Sequence, residues 1–145
     1  MQMKIRAPSV TWTYGLLGLI PFAVGAIVST VGDAKIRAKA KDGLLLYGAL
    51  IASFLGGGRW GLEIADKPVR TSVISASMLP TVATFLVLLL PRSKAKAKLG
   101  GLVAVFAAQW LWDARSNDTP TWYPALRTAL TAGAATALTI GLLRD

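Results

Sequence analysis

The sequence predicts an all-α integral membrane protein, a bundle of five transmembrane helices forming a single domain over residues 1–145. Three observations carry that reading. Hydrophobic residues make up 54% of the chain and charged residues 16%, too apolar and too unevenly patterned for an ordinary soluble domain. The apolar residues gather into five runs, each taken as crossing a hydrocarbon core of about 30 Å, which asks for roughly 20 residues per helix. The Lys and Arg residues behind the net charge of +9 lie mostly between those runs. There they set orientation and meet lipid headgroups, and no nucleic-acid partner is implied. The absence of Cys and His excludes disulfides, thiolate chemistry, the common zinc and iron sites and axial haem ligation. No cofactor is expected.

The first helix is expected at 12–31. The short polar stretch before it carries Lys4 and Arg6 and imitates a signal-peptide n-region, but the apolar run is too long and no small-residue cleavage site closes it. Pro21 sits mid-helix with Gly18 and Gly25 on either side, and a proline there frees a carbonyl and kinks the helix. Residues 33–42 (DAKIRAKAKD) read as a basic loop with Lys35, Arg37, Lys39 and Lys41. The second helix, 43–64, is the organising stretch: free of charge for fifteen residues from Leu44, the last three being Gly56-Gly57-Gly58, then Arg59, Trp60 and Glu63. Asp66, Lys67, Pro68 and Arg70 form a short connection to the third helix, 71–90, which has Pro80 at its middle and Pro91 at its end. A second basic loop (RSKAKAK) leads to a short fourth helix, 99–112, which Lys96 and Lys98 lengthen by snorkelling. Residues 113–121 (DARSNDTPT) read as loop, and the last helix is expected at 123–143.

Five spans divide the basic residues nine to five. Lys35, Arg37, Lys39, Lys41, Arg92, Lys94, Lys96, Lys98 and Arg144 flank one face, and Lys4, Arg6, Lys67, Arg70 and Arg115 flank the other. The positive-inside rule then gives an N-out, C-in topology. In that orientation all five Trp residues and the charges that penetrate helices collect at the outer face.

Two kinds of packing feature stand out. Ala49, Ser53, Gly57 and Gly61 recur every fourth residue on the second helix, as do Gly133, Ala137 and Gly141 on the fifth. Such ridges let helix backbones approach closely where lipid supplies no hydrophobic drive. They are read as intramolecular seams, with Gly57 and Gly61 as a homodimer face in the sharper reading. Arg59 and Glu63 are one turn apart and project roughly opposite Gly57 and Gly61, so the small face is expected to pack and the charged face to lie across from it. Arg127 lies about 6 Å inside the last helix at 1.5 Å per residue. A lone charge at such depth costs about 2.5–3.5 kcal/mol on insertion scales. Arg59 and Arg127 are therefore expected to be shared among Glu63, Asp113 and Asp118.

The plain reading of this cluster is a salt-bridge lattice that fixes helix register. The sharper one is a ligand site of Arg59, Trp60, Glu63, Asp113, Trp122 and Arg127 for a lipid headgroup, a carboxylate or a quinone head, since the arginine fork suits planar oxygen groups and Trp walls a ring. No nucleophile–base pair and no phosphate loop is present, so the chain is not read as an enzyme.

The stretch Phe54-Leu55-Gly56-Gly57-Gly58-Arg59-Trp60-Gly61 resembles the FLGG-x-RWG signature of a family of small polytopic membrane proteins of unknown function that includes mitochondrial transmembrane protein 69. Gly15 to Phe22 is similar to its first-helix motif. Asp113, Pro120-Thr121-Trp122-Tyr123, Leu126-Arg127 and Leu130-Thr131 are similar to its last. The resemblance covers most of the chain and implies a five-helix inner-membrane protein of bacterial or mitochondrial type, without supplying an activity. The resulting expectation is a non-enzymatic accessory or assembly component docking on another membrane protein complex, with the bilayer and anionic lipids at the basic loops as further partners. The alternative is binding or transport of a small anionic or amphiphilic ligand.

Overall fold

The computed structural model describes residues 8–65 and 68–144. Among the described residues it is all helix, with no strand. The elements are α1 (Ser9–Leu17), α2 (Ile20–Val31), α3 (Ala34–Ala65), α4 (Thr71–Leu89), α5 (Ala95–Arg115) and α6 (Tyr123–Leu143), with a 3-10 turn at Arg92–Lys94 before α5. Lys4, Arg6, Asp66 and Lys67, which entered the charge and topology arguments, lie outside the described residues. By length and composition, Ser9–Val31, Thr71–Leu89 and Tyr123–Leu143 are apolar enough to cross a membrane.

The first predicted helix is divided at Gly18 and Leu19. Pro21 has no N–H to give to the carbonyl four residues back, and the backbone tightens locally, with Leu19 N bonded to Leu16 O at 3.0 Å. The Tyr47 hydroxyl from α3 donates to the Gly18 carbonyl at 2.9 Å, so a neighbouring helix serves the broken backbone.

Two expected basic loops are corrected. Residues 34–42 are the first turns of α3, and Ala95 to Lys98 are the first turn of α5. Alternating Ala with Lys or Arg favours helix strongly, and Asp33 Oδ1 accepts the Ile36 N–H at 2.9 Å, capping α3. At 1.5 Å per residue α3 is about 48 Å long, so its basic end continues the apolar helix past an apolar layer. Lys98 Nζ donates to the Leu88 carbonyl at 3.0 Å at the end of α4, where orphan helix carbonyls attract cations.

Helix α3 is central, packing against α2, α4, α5 and α6, while α5 packs on α6 and α1 on α6. The core joins Phe22 and Ala26 of α2, Leu44, Leu45 and Ala52 of α3, Leu99, Leu102 and Phe106 of α5, and Ala134 and Leu138 of α6. Phe22 stands edge-on to Tyr47 and Phe106, with centroids 5.0 and 6.0 Å away. Outside this core the usual polarity is reversed. Phe54 is 73% exposed whereas Arg127 is 1% exposed, the distribution expected when the surrounding solvent is hydrocarbon.

Candidate functional site: a buried ionic layer beside an apolar pocket

At one end of the bundle α3, α5 and α6 each turn charge inward. Arg59, Glu63, Asp113 and Arg127 are all buried. Arg127 Nε donates to Asp113 Oδ2 at 2.6 Å. The other oxygen of Asp113 lies 3.8 Å from Arg59 Nε, so one carboxylate stands between two guanidinium groups. Arg59 also donates from Nη1 to Asp118 Oδ1 at 3.2 Å and from Nη2 to Ser116 Oγ at 3.0 Å. The Trp112 ring lies 4.4 Å from the Arg59 guanidinium carbon, within cation–π range. One turn before Asp113, Gln109 Nε2 donates to the Ala52 carbonyl at 2.9 Å. Trp110 Nε1 donates to Thr128 Oγ1 at 2.9 Å. These contacts stitch α5 to α3 and α6.

Glu63 is engaged elsewhere than expected: it pairs with Arg70, not Arg59. Arg70 donates to it from its backbone N at 2.6 Å, from Nε at 3.0 Å and from Nη2 at 2.7 Å. Arg70 Nη2 also bonds Asp118 Oδ2. Glu63 and Asp118, Glu63 first, push the Arg70 pKa further up. The hydrogen bond from Arg70 is the chief reason the Asp118 carboxyl is held below its usual range, with the charge of Arg59 adding to it. Sequence reasoning used Arg70 only as a loop charge. Its signal was the brevity of the connection from α3 to α4, which doubles the chain back and returns its last residue to the final turn of α3.

The aromatic walls also differ from expectation. The ring over a guanidinium is Trp112; Trp60 is exposed, and Trp122 makes an edge contact with Tyr123 at 6.1 Å. The small-residue ridge of α3 is corrected by about 100°, one residue along the helix. Gly57 and Gly61 are exposed and a Cβ on either would meet nothing within 4 Å. Gly56 is the packed glycine, where a Cβ would lie 2.5 Å from the Ser77 carbonyl oxygen. The buried face of α3 thus runs through Gly48, Ala49, Ala52, Gly56, Arg59 and Glu63, with Ser53 partly exposed beside it. Small residues and charges share one face because both point to other helices, and four-residue spacing alone left the choice of face open. On α6, Gly133 lies against Leu19, Ala137 is buried, and Gly141 lies against Leu44.

Beside the ionic layer is a cavity of about 440 Å³ between α1, α2, α3, α5 and α6. Its wall is apolar, with Leu19, Phe22, Leu55, Leu126 and Leu130 prominent, and Gly58, Tyr123 and Arg127 also line it. Arg127 Nη1 and Nη2 are buried without a hydrogen-bond partner. This pocket did not emerge from the sequence, since its wall is assembled from five helices. A second hollow of about 410 Å³ lies among Arg59, Arg70, Trp112, Ser116 and Asp118. Among the described residues no group of three or more His, Cys, Asp or Glu is placed to hold a metal.

Residues 7–143 match the family model described as protein of unknown function DUF3429. The chain is also similar to transmembrane protein 69 from Xenopus tropicalis, 31% identical over 142 residues, covering 96% of this chain and 56% of that relative. The chain therefore spans little more than half of the curated relative's length. No solved structure matches it.

Proposed function

This chain belongs to the DUF3429 family, whose function is unknown, and we propose that it is a five-span, N-out, C-in protein of a bacterial or mitochondrial inner membrane that binds an amphiphile without transforming it. The single observation that carries the reading is the apolar cavity lined in part by Arg127, whose Nη1 and Nη2 are buried without a hydrogen-bond partner. Concave, mostly apolar sites of roughly 300–1,000 Å³ with a few placed polar groups are what small ligands occupy.

Support for five spans comes from α3 and α5. Their polar residues Arg59, Glu63, Gln109 and Asp113 are all buried among helices, while Leu46, Leu50 and Phe54 of α3 are exposed. A hydrocarbon layer therefore meets apolar side chains on α3 as it does on the three more apolar spans. The basic ends of α3 and α5 lie where anionic headgroups are held in the N-out, C-in arrangement.

The test is to purify the protein in mild detergent and identify extracted small molecules by mass spectrometry, alongside a Gly58→Leu variant that obstructs the cavity. Near-stoichiometric recovery of one amphiphile from the wild type, absent from the variant, is the expected result. Equal recovery from both, or none from either, would remove the reading.

A second reading, an accessory or assembly component docking on another membrane protein, is favoured by the open space outside Gly57 and Gly61. A photo-crosslinker at Gly61 that captures the same membrane protein reproducibly would support it.

A further inference from the structure

Arg127 belongs both to the ionic layer and to the lining of the apolar cavity. Arg127 uses Nε on Asp113, while Nη1 and Nη2 are buried and unpartnered. Buried donors without acceptors are rare and costly, so these N–H groups call for an acceptor oxygen. Charge tells what kind of oxygen belongs there. Among the described residues of the cluster, Arg59, Arg70 and Arg127 face Glu63, Asp113 and Asp118, three positive groups against three negative ones. The positive charge of Arg127 is already met by Asp113 at 2.6 Å. What Arg127 lacks is lone pairs, not negative charge. A carboxylate or phosphate would add an uncompensated anion beside Asp113 in a region of low dielectric, where such a charge is expensive. An uncharged carbonyl supplies the lone pairs without that cost. The remaining wall is mostly hydrocarbon, with Thr11 and Tyr123 among it, and Tyr14 and Phe54, both exposed, also line the cavity. A tail can leave between them toward lipid.

We propose that Arg127 donates from its Nη groups to the carbonyl oxygen of an uncharged amphiphile, such as a quinone ring or an acyl ester, whose chain lies against Leu19, Leu55, Leu126 and Leu130 and leaves past Tyr14 and Phe54. This rests on the reading that the cavity holds an amphiphile, and it selects the head.

The test uses the full chain in nanodiscs and three probes of matched chain length: a decyl benzoquinone, monodecanoyl glycerol and decanoate. Affinities are measured for the wild type, Arg127→Lys and Gly58→Leu. Lysine keeps a cation for Asp113 but removes the fork. Leucine at Gly58, a lining residue of the cavity, enters open space, since a Cβ there meets nothing within 4 Å, and takes up part of the cavity while leaving every member of the ion pairs in place. At least one carbonyl probe should bind about tenfold or more tighter than decanoate at neutral pH. Arg127→Lys should remove about tenfold of that affinity, and Gly58→Leu should weaken every probe. Preference for the quinone or the ester identifies the source of the carbonyl. Decanoate binding as tightly as both, or carbonyl binding indifferent to Arg127→Lys, overturns the uncharged head and leaves the amphiphile reading intact. Absence of binding by all three, or binding unaffected by Gly58→Leu, overturns both.

Discussion

Arg127 and Asp113 form a fully enclosed ion pair between α6 and α5, 2.6 Å from Nε to Oδ2, with side chains 1% and 4% exposed. Neither has water to fall back on. Removing one member leaves the other uncompensated, which commonly costs about 3–5 kcal/mol, whereas removing both is often near neutral. Arg127→Met and Asp113→Leu should each lower thermal stability in detergent sharply. The double variant should recover most of the loss, since Arg59 retains Asp118. A double variant as unstable as the sum of the singles would show that the layer acts through something other than this pair.

Neighbouring glycines on α3 should respond in opposite directions. A Cβ at Gly56 would sit 2.5 Å from the Ser77 carbonyl, backbone that cannot step aside cheaply. Gly56→Ala should therefore cost about 1–3 kcal/mol through overpacking against α4. Gly57 faces open space, and alanine there is preferred to glycine by about 0.5–1 kcal/mol within a helix. Gly57→Ala should hold or raise the melting temperature, a comparison that decides which glycine is the seam.

These two cases show what the sequence could and could not carry. Helices and their apolar runs were legible because membrane spans need long uninterrupted hydrophobic stretches, and the break near Pro21 was legible because proline lacks a donor. The rotation of α3 was not, since Gly56, Gly57 and Gly61 differ only in what stands opposite them. The basic segments were misread as loops because charge was taken for loop character, although Ala and Lys are strong helix formers. Arg59, Asp113 and Arg127 were legible as a cluster because deep charges need partners. The pairing of Glu63 with Arg70 was hidden in the course of a short connection.

Acid should loosen the exposed side of the ionic layer. Arg70, followed by Arg59, depresses the pKa of Asp118 in the fold. Its contribution is therefore fully present above the unfolded value of about 3.9 and is lost as pH falls through the lower folded value. The melting temperature should be nearly flat from neutral pH to about pH 5 and drop below about pH 4. Asp118→Asn should lower the neutral value and make the acid drop shallower. An unchanged acid limb in that variant would assign the drop to other carboxylates.

The hydroxyl of Tyr47 gives a test of how α3 supports the break between α1 and α2. It donates to the Gly18 carbonyl at 2.9 Å, while the ring packs edge-on against Phe22. Tyr47→Phe keeps the ring contact and removes only the donor, which should cost about 0.5–1.5 kcal/mol. Tyr47→Leu should cost more by losing both.

Topology is tested by where added cysteines can be reached. The two basic helix starts concentrate Lys35, Lys39, Lys94 and Lys96 at what the positive-inside rule makes the cytoplasmic face. Asp118, Arg70 and the ionic layer then lie at the outer face, with the mouth of the cavity opening into the outer half of the bilayer. The native chain has no cysteine, so a single introduced thiol reports without background. Asn117 is exposed in the loop between α5 and α6, and Ala95 opens α5 at the basic end. A membrane-impermeant maleimide should label Asn117→Cys in intact cells, or in mitoplasts for a mitochondrial chain, and label Ala95→Cys only after permeabilisation. The reverse pattern would place the amphiphile cavity on the cytoplasmic or matrix side, and labelling of both from outside would remove the odd number of spans from which the orientation follows.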